Sequence, residues 1–140
     1  MYDEIPEHER VQRCSLASDA CVIDDEHPFI RGCLEIPVKG YVEPFVWLVW
    51  VSLSKDSFGE WLSHYETPER AHFGPYFGWL NSALPLYPDT INLKTLAHVR
   101  NDGLRPLIEV EPTDHPLARE QAEGIDVNRL EELITHALHG

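Results

Sequence analysis

A single α+β domain, built on a mainly antiparallel sheet of about five strands with helices packed on one face, is the fold this sequence predicts. Three observations carry that expectation. Residues 29–38 and 90–100 alternate apolar and polar side chains, the period of two that a half-buried strand imposes. Residues 45–51 are apolar at every position, as befits a strand in the middle of a covered sheet. The C-terminal third changes to helical spacing, and strands followed by helices fold as a sheet with helices laid on it. The 140 residues suffice for one core and are a poor fit to two. Residues 1–140 are therefore read as one domain, with an N-terminal helical segment at 1–16, a sheet region at 20–111 and two C-terminal helices at 114–139.

Taken in order, Pro6 opens a polar stretch, 6–13, suited to one or two helical turns with proline in the first. Residues 20–23 form a short strand stopped by the acidic turn 24–26. In 29–38, Ile30, Leu34, Ile36 and Val38 share one face and Arg31, Cys33 and Glu35 the other. Lys39 and Gly40 turn the chain into the apolar run 45–51, and the two segments read as a hairpin. Ser54 is a good helix N-cap. Phe58, Trp61, Leu62 and Tyr65 then fall at helical spacing, predicting a helix over 55–65 that packs onto the sheet. Residues 67–89 are punctuated by glycine, proline and aromatics, which predicts a long loop, and such loops often carry function. In 90–100, Ile91, Leu93, Thr95, Ala97 and Val99 face one way and Asn92, Lys94, Leu96, His98 and Arg100 the other. Asn101, Asp102 and Gly103 form a turn into a strand at 107–111, giving a second antiparallel hairpin. Thr113 or Asp114 caps a helix that ends at Gly124, and Asp126 caps the last helix, whose apolar stripe is Val127, Leu130, Ile134, Ala137 and Leu138.

The bulk composition narrows the function classes. Hydrophobic residues make up 43% and charged residues 25%, an ordinary globular mix. No apolar run approaches the ~18 residues of a membrane span, and the acidic N-terminus has neither the basic nor the apolar region of an export signal. Neither a membrane nor a secreted setting is expected, so a cytoplasmic location is. Cys14, Cys21 and Cys33 form no paired-cysteine motif, and an odd count is expected as reduced thiols in a reducing compartment. The net charge is −13, spread unevenly. Residues 1–28 hold eight acids and two bases, residues 29–100 seven and six, and residues 101–140 nine and three. That field repels phosphate backbones, so nucleic acid is not an expected partner. It favours a basic protein partner, although the same charge also serves plain solubility.

The candidate chemistry is sparse. Asp114 and His115, with Glu109 before and Glu120 after, have the residue types of an acid–base or divalent-metal site. Asp114 as a helix cap with His115 in the first turn is the plainer account of them, since capping Asp is far commoner than catalytic Asp. His98 shares a strand face with Lys94, opposite Glu109, an arrangement suited either to cross-strand ion pairs or, if His98, Glu109 and His115 converge, to catalysis. His98, His115 and Glu120 are the weak metal candidates. His136 and His139 form a lone i, i+3 pair near the C-terminus, which is weak evidence for metal and also suits a helix dipole; His72 lies in the loop, and no phosphate loop, nucleophile elbow or zinc-protease motif is present. No cofactor is expected.

The phrases SDACVID (18–24), CVIDDEHPFIRGCLEIPV (21–38), VWVSLS (49–54), PYFGWL (75–80), YPDTINLKT (87–95) and RPLIEVEPTDHPLAREQ (105–121) resemble a bacterial domain-of-unknown-function family from about Pro6 onward. The resemblance implies a self-contained domain and brings no activity with it. Many members of that family carry an additional paired-cysteine segment of zinc-knuckle type. These residues contain none, so no zinc site is carried over. The leading expectation is a non-enzymatic, acidic cytosolic binding module. It would dock a partner through the aromatic segment 73–87 and the neighbouring sheet face, with Tyr76, Phe77, Trp79, Tyr87, Lys94 and Arg31 as surface candidates. The alternative is a small metal-assisted hydrolase using His98, Asp114, His115 and Glu109 or Glu120.

Overall fold

The computed structural model describes residues 20–23 and 27–139; the expected helical segment at 1–16 lies outside them. Six strands form one sheet in chain order. They are β1 (Ala20–Ile23), β2 (His27–Ile36), β3 (Phe45–Leu53), β4 (Tyr76–Leu80), β5 (Lys94–His98) and β6 (Leu107–Val110). Helix α1 (Lys55–Ser63) follows β3, and α2 (Pro116–Glu123) and α3 (Val127–His139) follow β6.

Consecutive strands pair antiparallel throughout. Over the five strands from β2 to β6 the direction alternates, so the first and last point the same way. Closing that run on itself therefore requires a parallel contact. It forms where Cys33 is the register partner of Leu107 and the Cys33 N–H donates to the Pro106 carbonyl at 2.8 Å. The sheet is thus a five-stranded barrel, with β1 added along the first half of β2. Gly32 permits this seam: a Cβ there would sit 2.5 Å from the Ile108 side chain and 3.0 Å from the Pro106 oxygen.

Alternation decides which side chains fill the barrel. Ile30, Leu34 and Ile36 of β2, Val49 and Val51 of β3, Leu80 of β4, Ala97 of β5 and Ile108 of β6 are fully or almost fully buried. Thr95, 1% exposed, satisfies its hydroxyl on the Gly78 carbonyl at 3.0 Å. Strand β3 was expected to be covered on both faces. That holds for its outward Trp50, 7% exposed, but not for Val46 and Leu48, which are 43% and 42% exposed because β3 lies in the wall of a barrel with one interior.

The segment 67–89, expected as a loop, contains β4. Its Gly78 reads as a breaker in the sequence, yet it lies where β4 meets β3, and a Cβ would collide with Val51 and come within 2.5 Å of the Ser52 oxygen. Helix α1 is capped as expected, Ser54 Oγ accepting from Ser57 N–H at 3.1 Å. It buries Phe58 and Trp61 and packs against β2. Helix α2 packs against both β2 and β6, across the closing seam. Ile125, in the link between α2 and α3, exchanges backbone hydrogen bonds with Lys39 and Pro37, which ties the helices to the end of β2. Asp126 caps α3, accepting from Arg129 N–H at 2.8 Å. Cys21 is disulfide-bonded, which corrects the expectation of a reduced thiol there, whereas Cys33 is free; Cys14 lies outside the described residues.

Candidate functional site

Strand register brings Phe77, Trp79 and Lys94 onto one surface. Phe77 is the register partner of Leu96, Trp79 of Lys94, and Leu96 of Glu109, and all of them point out of the barrel. Phe77 and Trp79 meet edge to face, centroids 5.1 Å apart, a preferred aromatic geometry. They remain 47% and 41% exposed, and Leu96 38%. Beside them Phe77, Lys94, Leu96, Glu109, Glu111 and Pro112 line a cleft of about 270 Å³. The face is apolar in the middle and carries two carboxylates and one ammonium at its rim.

The other surface candidates lie elsewhere. Tyr76 alternates to the interior, 5% exposed, and its hydroxyl donates to Glu60 at 3.0 Å. Burial, then the Glu60 carboxylate, push that hydroxyl up to about 12. Tyr87 packs edge-on to Trp47 and donates to Glu120 Oε1 at 2.7 Å. Arg31 sits on β2, its guanidinium 5.4 Å from the Trp50 ring centroid.

The residues of the hydrolase alternative do not converge. His98 Nε2 lies 2.9 Å from Glu109 Oε1 across β5 and β6, on an exposed face. His115 is at the start of α2, where it and not Thr113 or Asp114 is the N-cap: its Nδ1 accepts from Leu117 N–H at 3.1 Å. With Nδ1 an acceptor, Nε2 must carry the proton, and it donates to the Pro88 carbonyl at 2.6 Å. His115 is thus a clamp between α2 and the β4–β5 connection. Asp114 is exposed beside it. Glu120 is engaged on both oxygens, by Tyr87 on one and by Arg129 Nε on the other at 2.8 Å. For Arg129, burial works against the charge, but Glu120, Tyr87 and Glu132 outweigh it and raise its pKa. Among the described residues no group of three or more His, Cys, Asp or Glu side chains is placed to hold a metal ion, so the convergence that reading needs is not formed.

A second cleft, of about 370 Å³, brings Cys33 and Glu35 together with His98, Glu109 and Gln121. A thiol near an imidazole invites a nucleophile–base reading. The register argues against it. Cys33 and His98 are both partners of Leu107, hence two strand spacings apart, roughly 10 Å between Cα atoms, with Leu107 between them.

Two residues that sequence reasoning passed over hold this architecture. Arg70, 3% exposed, donates to the carbonyls of Tyr65, Arg100 and Leu104 at 2.6, 2.8 and 2.8 Å. Gln121 donates to the Ile108 carbonyl at 2.8 Å and accepts from Val110 N–H at 2.7 Å. Nothing in their sequence neighbourhood marks either one, since their partners are backbone groups brought near only by folding.

A family model described as an uncharacterised protein conserved in bacteria, DUF2199, matches residues 1–125. The chain belongs to this family. The DUF2199 match spans all six strands, α1 and α2, and includes the Phe77–Trp79 face; α3 lies beyond it. The Tyr87–Glu120–Arg129 contact therefore joins DUF2199 residues to a helix outside the matched span. No curated protein and no solved structure matches the chain. Among the described residues no helix is long and apolar enough to cross a membrane.

Proposed function

We propose that this DUF2199 protein is a non-enzymatic binding module that docks a basic protein partner on the outer face of β4 and β5. One observation carries the reading: Phe77, Trp79 and Leu96 stand side by side and exposed on a rigid barrel wall. Exposed apolar residues scattered singly need no explanation, but a contiguous group rimmed by charge is the ordinary mark of a contact surface. Aromatic side chains in such a group supply most of the energy of protein contacts. The rim selects the partner's charge. Glu109 and Glu111 outnumber Lys94 around the cleft, and the whole chain carries −13, so a complementary partner is basic.

The test is site-specific photo-crosslinking in the native host, with a photoreactive residue at position 77 and a control at position 104. Leu104 is 53% exposed and lies in the turn between β5 and β6. A discrete adduct from position 77, absent from 104 and weakened about tenfold or more by Trp79→Ser, is the expected result. Equal or no adducts at the two positions would sink the proposal.

A further inference from the structure

We propose that the open edge of β3 takes up an extended, basic segment of another protein as an added strand. The edge is located by hydrogen-bond direction. The Cys33 N–H is turned to Pro106, on the β6 side. In the antiparallel pair of Cys33 with Leu48 the backbone groups of both residues therefore point away from each other, and those of Leu48 point away from β2. Trp50, two residues on, shows where they point: its carbonyl accepts from Asn81 N–H at 2.8 Å and its N–H donates to Ser82 Oγ at 2.9 Å. Val46 and Leu48 present their donors and acceptors to that same side.

Among the described residues no strand follows there. Strand β4 pairs with β3 only at Val51, Ser52 and Leu53. Past Ser82 the chain is drawn off by Thr90, whose hydroxyl donates to the Ser82 carbonyl at 2.7 Å and accepts from Leu84 N–H at 3.0 Å. Among the described residues nothing pairs with Val46 or Leu48 on this edge. Natural edges are blunted with lysine, proline or bulges. This one instead displays Val46 and Leu48, both more than two-fifths exposed.

Phe45, the residue before Val46, lines a groove of about 410 Å³ together with Tyr41, Val42, Leu130 and Ile134. A ladder edge recognises any extended backbone, and pockets beside it choose alternate side chains. The choice of charge comes from two carboxylates. Glu43 lines the groove, and Glu35 is the register partner of Val46; Lys39, in the same loop as Glu43, does not line it. A second copy of this chain would bring its own −13 to an acidic edge. The occupant that fits is a basic segment with apolar residues at alternate positions. The inference rests on the binding-module reading but uses a different surface, so the Trp79→Ser result and the one below can fail independently.

The probe is an alternating Lys-Val peptide of about eight residues, the length of an ordinary strand, added to the full chain while amide exchange is followed residue by residue. The amides of Val46 and Leu48 should slow by about tenfold or more, as expected of newly paired strand amides. A Glu-Val peptide, and a Lys-Val peptide N-methylated on its valines, should leave them unchanged. Leu48→Pro should weaken Lys-Val binding by about tenfold, and the fold should tolerate it because that N–H faces away from β2. If Leu48→Pro does not fold, the double change Val46→Lys and Leu48→Lys keeps the strand and should repel the peptide to the same extent. Unslowed amides, equal effects from the acidic or N-methylated peptide, or a dimer in which these amides are already protected by a second copy would each overturn the proposal.

Discussion

Arg70 shows how far one side chain can organise a loop-rich fold. Its guanidinium is buried, and three carbonyls from two connections, 65 in one and 100 and 104 in the other, converge on its fork. Tyr65 packs beneath it, ring centroid 5.4 Å away. Two further bonds, Asp102 N–H to the Pro68 carbonyl and Ala71 N–H to Asn101 Oδ1, join the same two segments, so Arg70 is the centre of a brace between the α1–β4 connection and the β5–β6 turn. A planar fork places donors along several directions at once, whereas an ammonium is a single point. Arg70→Ala should therefore cost about 3 kcal/mol or more, since it strands three carbonyls of partly buried bonds at once. Arg70→Lys should recover less than half of that. Urea unfolding of the three proteins measures both, and a lysine variant as stable as the parent would mean the fork is not what matters. Sequence reading could not find this residue. An isolated arginine among Thr67, Pro68, Glu69 and Ala71 has nothing to mark it until folding brings the carbonyls to it. His115 was legible as a helix-start residue, but its role was not. Asp114 is the commoner cap by type, and the ring nitrogen of His115 wins because its other nitrogen also holds the Pro88 carbonyl.

At the scale of elements the alternating strands were the legible part. The inward sets Ile30, Leu34, Ile36 and Thr95, Ala97, Val99 follow directly from a period of two, and both are buried. Strand β4 was missed because Gly74, Pro75 and Gly78 are breakers by propensity, while at position 78 the missing side chain is what lets two strands meet. The helices are tied to the barrel by two phenols, Tyr76 buried and Tyr87 partly buried. Tyr76 of β4 reaches Glu60 of α1, and Tyr87 reaches Glu120 of α2, which in turn holds Arg129 of α3. Both phenols are kept neutral. Burial, with Glu60 adding to it, raises Tyr76 from 10.0 to about 12. Tyr87 is raised further, by burial and then by Glu120, with Trp47 and Arg129 opposing. A folded pKa above the unfolded one favours the protonated form in the native state. The stability it contributes is complete below pH 10, erodes above it and is lost for Tyr76 as the pH rises through about 12. Thermal stability should thus fall in this alkaline window, and Tyr76→Phe should remove part of the fall. In a spectrophotometric titration the Tyr76 and Tyr87 phenols, assigned by their Phe variants, should ionise later in the native protein than in urea. Tyr76 and Tyr87 ionising at the same pH in the native protein as in urea would contradict these phenol contacts.

The whole molecule depends on how the barrel closes. A meander of five strands leaves a parallel seam, and here the ladder at that seam is a single register pair, Cys33 with Leu107. Neither the pairing nor the closure was legible, because parallel contacts between distant segments leave no local pattern, and about five strands in one sheet describe an open layer equally well. Beyond Leu107, β6 would present an unpaired edge toward β2. The Gln121 amide fills it as one peptide group of a strand would: it accepts from Val110 N–H, donates to the Ile108 carbonyl and reaches the Glu35 carbonyl of β2 at 3.4 Å. Helix α2 thereby completes the sheet with a side chain, and the family's span ending just past that helix, at residue 125, contains everything the closure needs. Gln121→Ala should cost about 2 kcal/mol, since it leaves partly buried backbone groups without partners. Gln121→Glu should not restore it, because a carboxylate can take the Val110 N–H but has nothing to donate to either carbonyl. The loss should also be local in a way that a general packing defect is not. Amide exchange at Val110 should accelerate in both variants before the amides of the β3–β4 pairing do, since those lie across the barrel from the seam. Uniform acceleration throughout the barrel would mean that Gln121 acts through α2 packing alone and that the single pair of Cys33 and Leu107 is enough to hold the seam.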